Sequence, residues 1–148
     1  MRHFPKIILV FIGADWSNYM RRPFLYALGE AARGFGATVV AVNRPLCPWS
    51  TFVRKPHRVG ELLGKPRLQR LAERLYLYSP KYFIRDHVAN MLPVLHKLNQ
   101  AALRQSYRYL QHRLSITEPS PLVWFNYPQQ GYVTRLCQES FCIFELYD

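Results

Sequence analysis

The sequence predicts an α/β domain in which a mostly parallel sheet carries helices on both faces. Three observations predict it. Several short runs are apolar without alternation, segments of helical period lie between them, and 148 residues suit a single core. The first run, KIILVFIG at 6–13, ends at glycine and has the pattern of a strand buried on both faces. After ADWSN comes YMRRPFLYALGEAARGFG, where Phe24, Leu28, Ala31, Ala32 and Phe35 recur at helical spacing. Pro23 suits a first helical turn, and Gly34 or Gly36 supplies a left-handed stop. ATVVAVN, at 37–43, is a second buried strand and completes a β-loop-α-β unit.

Prolines 45, 48 and 56 disfavour regular structure over most of 44–64, an excursion from the core. KPRLQRLAERLYLYSP reads as one or two helical turns with Leu68, Leu71 and Leu75 inward, ending in a short strand at 75–79. Residues 91–114 give the clearest amphipathic helix. Met91, Leu92, Leu95, Leu98, Ala102, Tyr109 and Leu110 share one side; Lys97, Gln100, Arg104, Arg108, Gln111 and His112 share the other. Then come a strand at 122–128 (LVWFNYP), a short helix over 129–140, and a last strand, FCIFELYD, whose Phe141, Ile143, Phe144 and Leu146 suggest burial. Strands alternating with helices imply a Rossmann-like three-layer domain. Ligands of such sheets bind beyond the carboxyl ends of the strands, which directs attention to GADWSN, NRPLCPW, NYPQQG and the final YD.

With 49% hydrophobic and 20% charged residues, the chain lies outside the disordered class. Cys47, Cys137 and Cys142 are odd in number, and the last two sit in or beside apolar runs, which suggests buried thiols in a reducing compartment. The apolar run IILVFI is short for a secretory signal and no stretch approaches the roughly 20 apolar residues that cross a bilayer, so a cytoplasmic domain is expected. The charge of +11 is local. Between Arg54 and Arg113 there are 13 Lys and Arg against three acids, leaving +1 for the remainder. Such a field attracts anions.

Neither G-x-G-x-x-G nor a P-loop follows the first strand, where Gly13 is succeeded by Ala14 and bulky Trp16; no nucleophile elbow or zinc spacing is present. Catalytic and metal-binding residues are therefore not assigned. The candidate cleft residues are Gly13, Asp15, Trp16, Asn18, Arg22, Asn126, Tyr127 and Asp148. Asp15 suits a sugar hydroxyl or a loop cap, Trp16 a sugar ring or the core, and Arg22 a phosphate or solvent. Asn126 and Tyr127 would line a crevice or form a turn. A second candidate surface, for anionic phospholipid headgroups, comprises Lys97, Arg104 and Arg108 with Arg67, Arg70 and Arg74, although charged faces are more often simply solvated. Nucleic acid is a competing anion, but no RNA-binding signature is visible.

In order along the chain, the tryptophan loop, RPFLYALGEAARGFGATVVAVN, LVWFNYPQ and FELYD resemble the N-terminal domain of GT-B glycosyltransferases of the family-four type. The second segment is similar to that family's R-P-x-x-L-A-x-x-L-x-x-x-G-x-x-V-x-x-V pattern through Arg22, Pro23, Ala27, Leu28, Gly34 or Gly36, Val39 and Val42. Phe24 and Leu25 stand where many relatives carry histidine or glutamine, and the acidic donor-site motif E-x-x-x-x-x-x-x-E is not found. The resemblance implies an acceptor-binding half without its own cofactor, whose partners are a C-terminal nucleotide-sugar domain and a sugar or lipid-linked acceptor. By itself this half would be inactive. It also fits a peripheral location at the inner face of a membrane. The residues alone leave open a stand-alone nucleotide- or flavin-binding module, and a basic membrane- or RNA-interaction domain.

Overall fold

The computed structural model describes residues 5–13, 16–44, 52–53, 56, 60, 67–80, 91–117, 120–125 and 141–145. Its elements are β1 (Ile7–Phe11), a 3₁₀ turn (Trp16–Asn18), α1 (Arg22–Gly34), β2 (Thr38–Val42), β3 (Arg67–Ala72), β4 (Leu75–Ser79), α2 (Pro93–Leu114), β5 (Leu122–Phe125) and β6 (Phe141–Phe144). The expected helix over 129–140 and most of the 44–64 excursion lie outside the described residues.

The six strands form one sheet in the order β3-β4-β2-β1-β5-β6. Every neighbouring pair is parallel except β3 with β4. The chain therefore builds outward from β1 through β2 to β4, then crosses to the other side of β1 for β5 and β6. This arrangement puts β1 at the centre, and all five of its residues are buried. A strand covered on both faces can be uniformly apolar, which explains IILVF and the similar TVVAV of β2.

Alternation along β1 divides the core in two. Ile7, Leu9 and Phe11 cluster with Val40, Val42, Tyr78, Val123, Phe125 and with Leu103, Tyr107 and Leu110 of α2. Ile8 and Val10 cluster with Val39, Ala41, Leu75, Leu77 and with Leu25 and Ala32 of α1. Helices thus cover opposite faces of an α/β sheet.

Helix α1 carries Pro23 in its first turn and ends at Gly36, whose φ of 68° is left-handed. Gly36 N–H donates to Arg33 O (2.9 Å) and Ala37 N–H to Ala32 O (2.9 Å), the paired bonds of a Schellman stop, so Gly36 rather than Gly34 terminates the helix. Its buried stripe is Leu25, Gly29 and Ala32, with Phe24 and Leu28 half-buried; Ala31 and Phe35, expected inward, are exposed. A Cβ on Gly29 would lie 3.3 Å from Leu75 Cβ, so the absent side chain lets α1 settle onto β4.

Three further expectations are corrected. The segment expected to be helical around Leu68 and Leu71 is β3, an edge strand, whereas the strand at 75–79 is as anticipated. Leu68 packs with the α2-side cluster and Leu71 with the α1-side cluster, because residues three apart in a strand face opposite ways. A bulge between Arg70 and Ala72 then places Leu71 and Ala72 on the same side.

Helix α2 starts at Pro93 as expected, but its buried stripe is Asn99, Leu103, Tyr107 and Leu110. Leu95, Ala102 and Tyr109 are half-buried, as are Gln100 and Gln111 from the expected polar side, while Met91, Leu92 and Leu98 are exposed. The helix's contribution to the buried core cluster comes from Leu103, Tyr107 and Leu110. Finally, β6 is not a buried strand. It sits at the sheet edge with Phe141 63% exposed and Cys142 exposed.

Candidate functional site

The carboxyl ends of β1, β2, β4, β5 and β6 lie along one edge of the sheet, because these strands are parallel. The order reverses between β1 and β5, and in open parallel sheets ligands bind beyond the carboxyl ends of the strands at such a reversal. Of the predicted cleft residues, Gly13, Trp16, Asn18 and Arg22 are at this edge. Asp15, Asn126, Tyr127 and Asp148 lie outside the described residues, although β5 ends at Phe125, directly before Asn126.

Asn43, at the end of β2, organises the first half of the rim. Its Oδ1 accepts from Trp16 N–H (3.0 Å) and from Arg44 N–H (3.0 Å), and its Nδ2 donates to Ser79 Oγ (3.4 Å). The backbone N–H of Asn43 donates to Tyr78 O (2.8 Å). One amide thereby ties together the loops after β1, β2 and β4. A short side chain with both a donor and an acceptor is required for this, which is why asparagine fits.

The Trp16 ring is half-buried and stacks on Tyr19 at 6.2 Å between centroids. The Arg22 guanidinium lies 5.7 Å from the indole centroid, and its Nε donates to Tyr19 O (3.1 Å). These contacts hold Trp16 in one orientation, as a surface for apolar or sugar-ring contact requires. They also occupy one donor of Arg22. Asn18 is exposed beside them.

Glu145, just past β6, organises the second half. Its N–H donates to Phe125 O (3.0 Å), continuing the pairing with β5. Its Oε2 accepts from the Trp124 indole N–H (3.0 Å) and its Oε1 from Arg21 (3.1 Å). Arg21 lies over the Phe24 ring at 4.9 Å, and Phe24 meets Trp124 edge-on at 5.2 Å. The start of α1 is thus fastened to β5 and β6. Arg21, Arg22 and the positive end of α1 meet at this corner, where Glu145 pairs with Arg21.

Sequence reasoning did not single out Asn43, Arg21, Trp124 or Glu145. The available signal was position: Asn43 follows a predicted strand directly, and Glu145 interrupts an apolar run near its end.

The basic residues divide among elements. Arg74, at φ 57° in the β3–β4 turn, donates from its guanidinium to Gly36 O (2.8 Å), at the end of the sheet away from the rim. Arg70 Nε donates to Ala72 O (3.3 Å), and Arg67 pairs with Ser79 toward the rim. Lys97, Arg104 and Arg108 are exposed on α2. Between α2 and the sheet, Phe11, Val42, Tyr78 and Leu103 border a gap of about 10 Å³, no larger than one water needs.

Among the described residues there is no cluster of three His, Cys, Asp or Glu side chains, and no helix is long and apolar enough to cross a membrane. Comparison of the chain with known protein families, characterised proteins and solved structures finds no match.

Proposed function

We propose that this chain is the acceptor-binding domain of a nucleotide-sugar-dependent glycosyltransferase, a Rossmann-like three-layer half of a GT-B enzyme. The observation that carries the proposal is the fixed tryptophan at the strand-order reversal. Trp16, held by Asn43, Tyr19 and Arg22, sits between the end of β1 and the start of α1, at the carboxyl edge of the sheet. The family-four-like segments Arg22–Val42 and Leu122–Phe125 form α1, β2 and β5 around that same place. An oriented indole beside amide and guanidinium groups suits a pyranose ring, whose apolar face stacks while its hydroxyls hydrogen-bond.

In this reading the domain contributes positioning. It presents an acceptor hydroxyl to a donor held by a second domain, where charge on the departing nucleotide diphosphate is stabilised.

Titrating this chain with UDP- and GDP-sugars by calorimetry tests the division of labour. The expected result is no saturable binding. Tight, stoichiometric binding of a nucleotide sugar to this chain alone would make it a nucleotide-binding module instead.

A further inference from the structure

We propose that the outward face of α2 docks onto an anionic phospholipid bilayer, an inference that stands without the glycosyltransferase reading. Two chemistries lie side by side on that face. Val94 is 68% exposed and Leu98 55%, and just before the helix Met91 is 76% exposed and Leu92 56%. Single exposed apolar residues are ordinary on any surface, but four within eight positions at one helix start make a patch. Alongside run Lys97, Arg104 and Arg108, spaced seven and four apart and therefore aligned along one flank, all exposed.

No carboxylate occurs from His87 to Thr117, so the charged side chains of α2 are all of one sign. Arg104 and Arg108, at i and i+4, repel each other, an arrangement that helix stability alone disfavours. The two features favour one partner together. Nucleic acid would take the cations and leave the apolar turn in water. A bilayer accommodates both, with phosphates at the depth of the cations and the acyl boundary at the depth of Val94 and Leu98. The opposite side of α2, bearing Leu103, Tyr107 and Leu110, is occupied by the sheet, so docking requires no unfolding.

The test is co-sedimentation of this chain with vesicles of phosphatidylcholine alone and of equimolar phosphatidylcholine and phosphatidylglycerol. The proposal expects binding to the mixed vesicles only. K97Q/R104Q/R108Q should weaken it on the order of 100-fold, at about fivefold per cation. Val94→Ser with Leu98→Ser should weaken it roughly tenfold or more, through lost apolar burial. All five positions are exposed, and an unchanged melting transition confirms that each variant folds. If a variant does not fold, a salt titration of the wild-type chain decides. Binding that weakens but persists at high salt supports the proposal, and binding that vanishes overturns it. No binding to mixed vesicles, equal binding to both kinds, sensitivity to only one set of substitutions, or displacement of bound protein by single-stranded RNA would each overturn it.

Discussion

At the residue scale, Asn43 carries more of the rim than any predicted site residue. Asn43→Ala removes the acceptor for two backbone N–H groups and the donor to Ser79. The expected cost is about 1–3 kcal/mol in urea unfolding, since the part-buried Trp16 N–H loses its partner, and the Trp16 loop should loosen. Asn43→Asp keeps the acceptor and should cost less. The Arg21–Glu145 pair, with side chains 37% and 27% exposed, contributes mainly orientation, because ion pairs in contact with solvent are worth little. Tyr78 gives a pH prediction. Burial raises its phenol above the ordinary value, the hydrogen bond with Ser106 works against that, and nearby Tyr109 adds to it. The folded state therefore holds the proton to higher pH than the unfolded chain does. Its contribution is complete below about pH 10, where the unfolded phenol titrates, and is lost as pH rises through the folded value. Tyr78→Phe should flatten the fall in melting temperature as pH rises above about 10. An unchanged slope would show that Tyr78 does not govern alkaline unfolding.

At the element scale, legibility followed how fully an element is buried. β1, α1 and β2 were readable because their apolar residues face the core on both sides of the sheet or along one stripe. The strand β3 was not, since its leucines alternate across an edge and a bulge resets the alternation, mimicking helical spacing. The phase of α2 was misjudged because its buried stripe includes Asn99 and Tyr107 while its exposed start includes Val94 and Leu98. Local hydrophobicity does not reveal which side of a helix meets the sheet when a buried stripe includes an asparagine. Contact between α1 and β4 depends on Gly29, so Gly29→Val should cost about 1–3 kcal/mol by overpacking against Leu75. Denaturant unfolding measures this directly; a stability equal to wild type would mean that α1 shifts without penalty. The two sheet edges also contrast. β3 carries Arg67, Arg70 and a bulge, features that discourage pairing with other chains, whereas FCIF of β6 has none of them.

At the scale of the whole molecule, the alternation of strands and helices predicted a mostly parallel sheet, and its order reverses at β1. Sequence placed the Trp16 loop at that edge but did not reveal its anchoring, because the tie through Asn43 exists only once β2 lies between β1 and β4. The local concentration of positive charge was evident from the sequence, yet it is distributed between a structural turn at Arg74 and an outward helix face at Lys97, Arg104 and Arg108. The proposal that the rim around Trp16 takes a sugar is open to direct test. Amide and indole chemical-shift mapping, with a panel of short neutral oligosaccharides added to the isotopically labelled chain, tests it most directly. Saturable shifts are expected, confined to Gly13, the Trp16 indole, Asn43 and the start of α1, and abolished by Trp16→Ala. Shifts confined to α2 or β3, or none with any oligosaccharide, would contradict it.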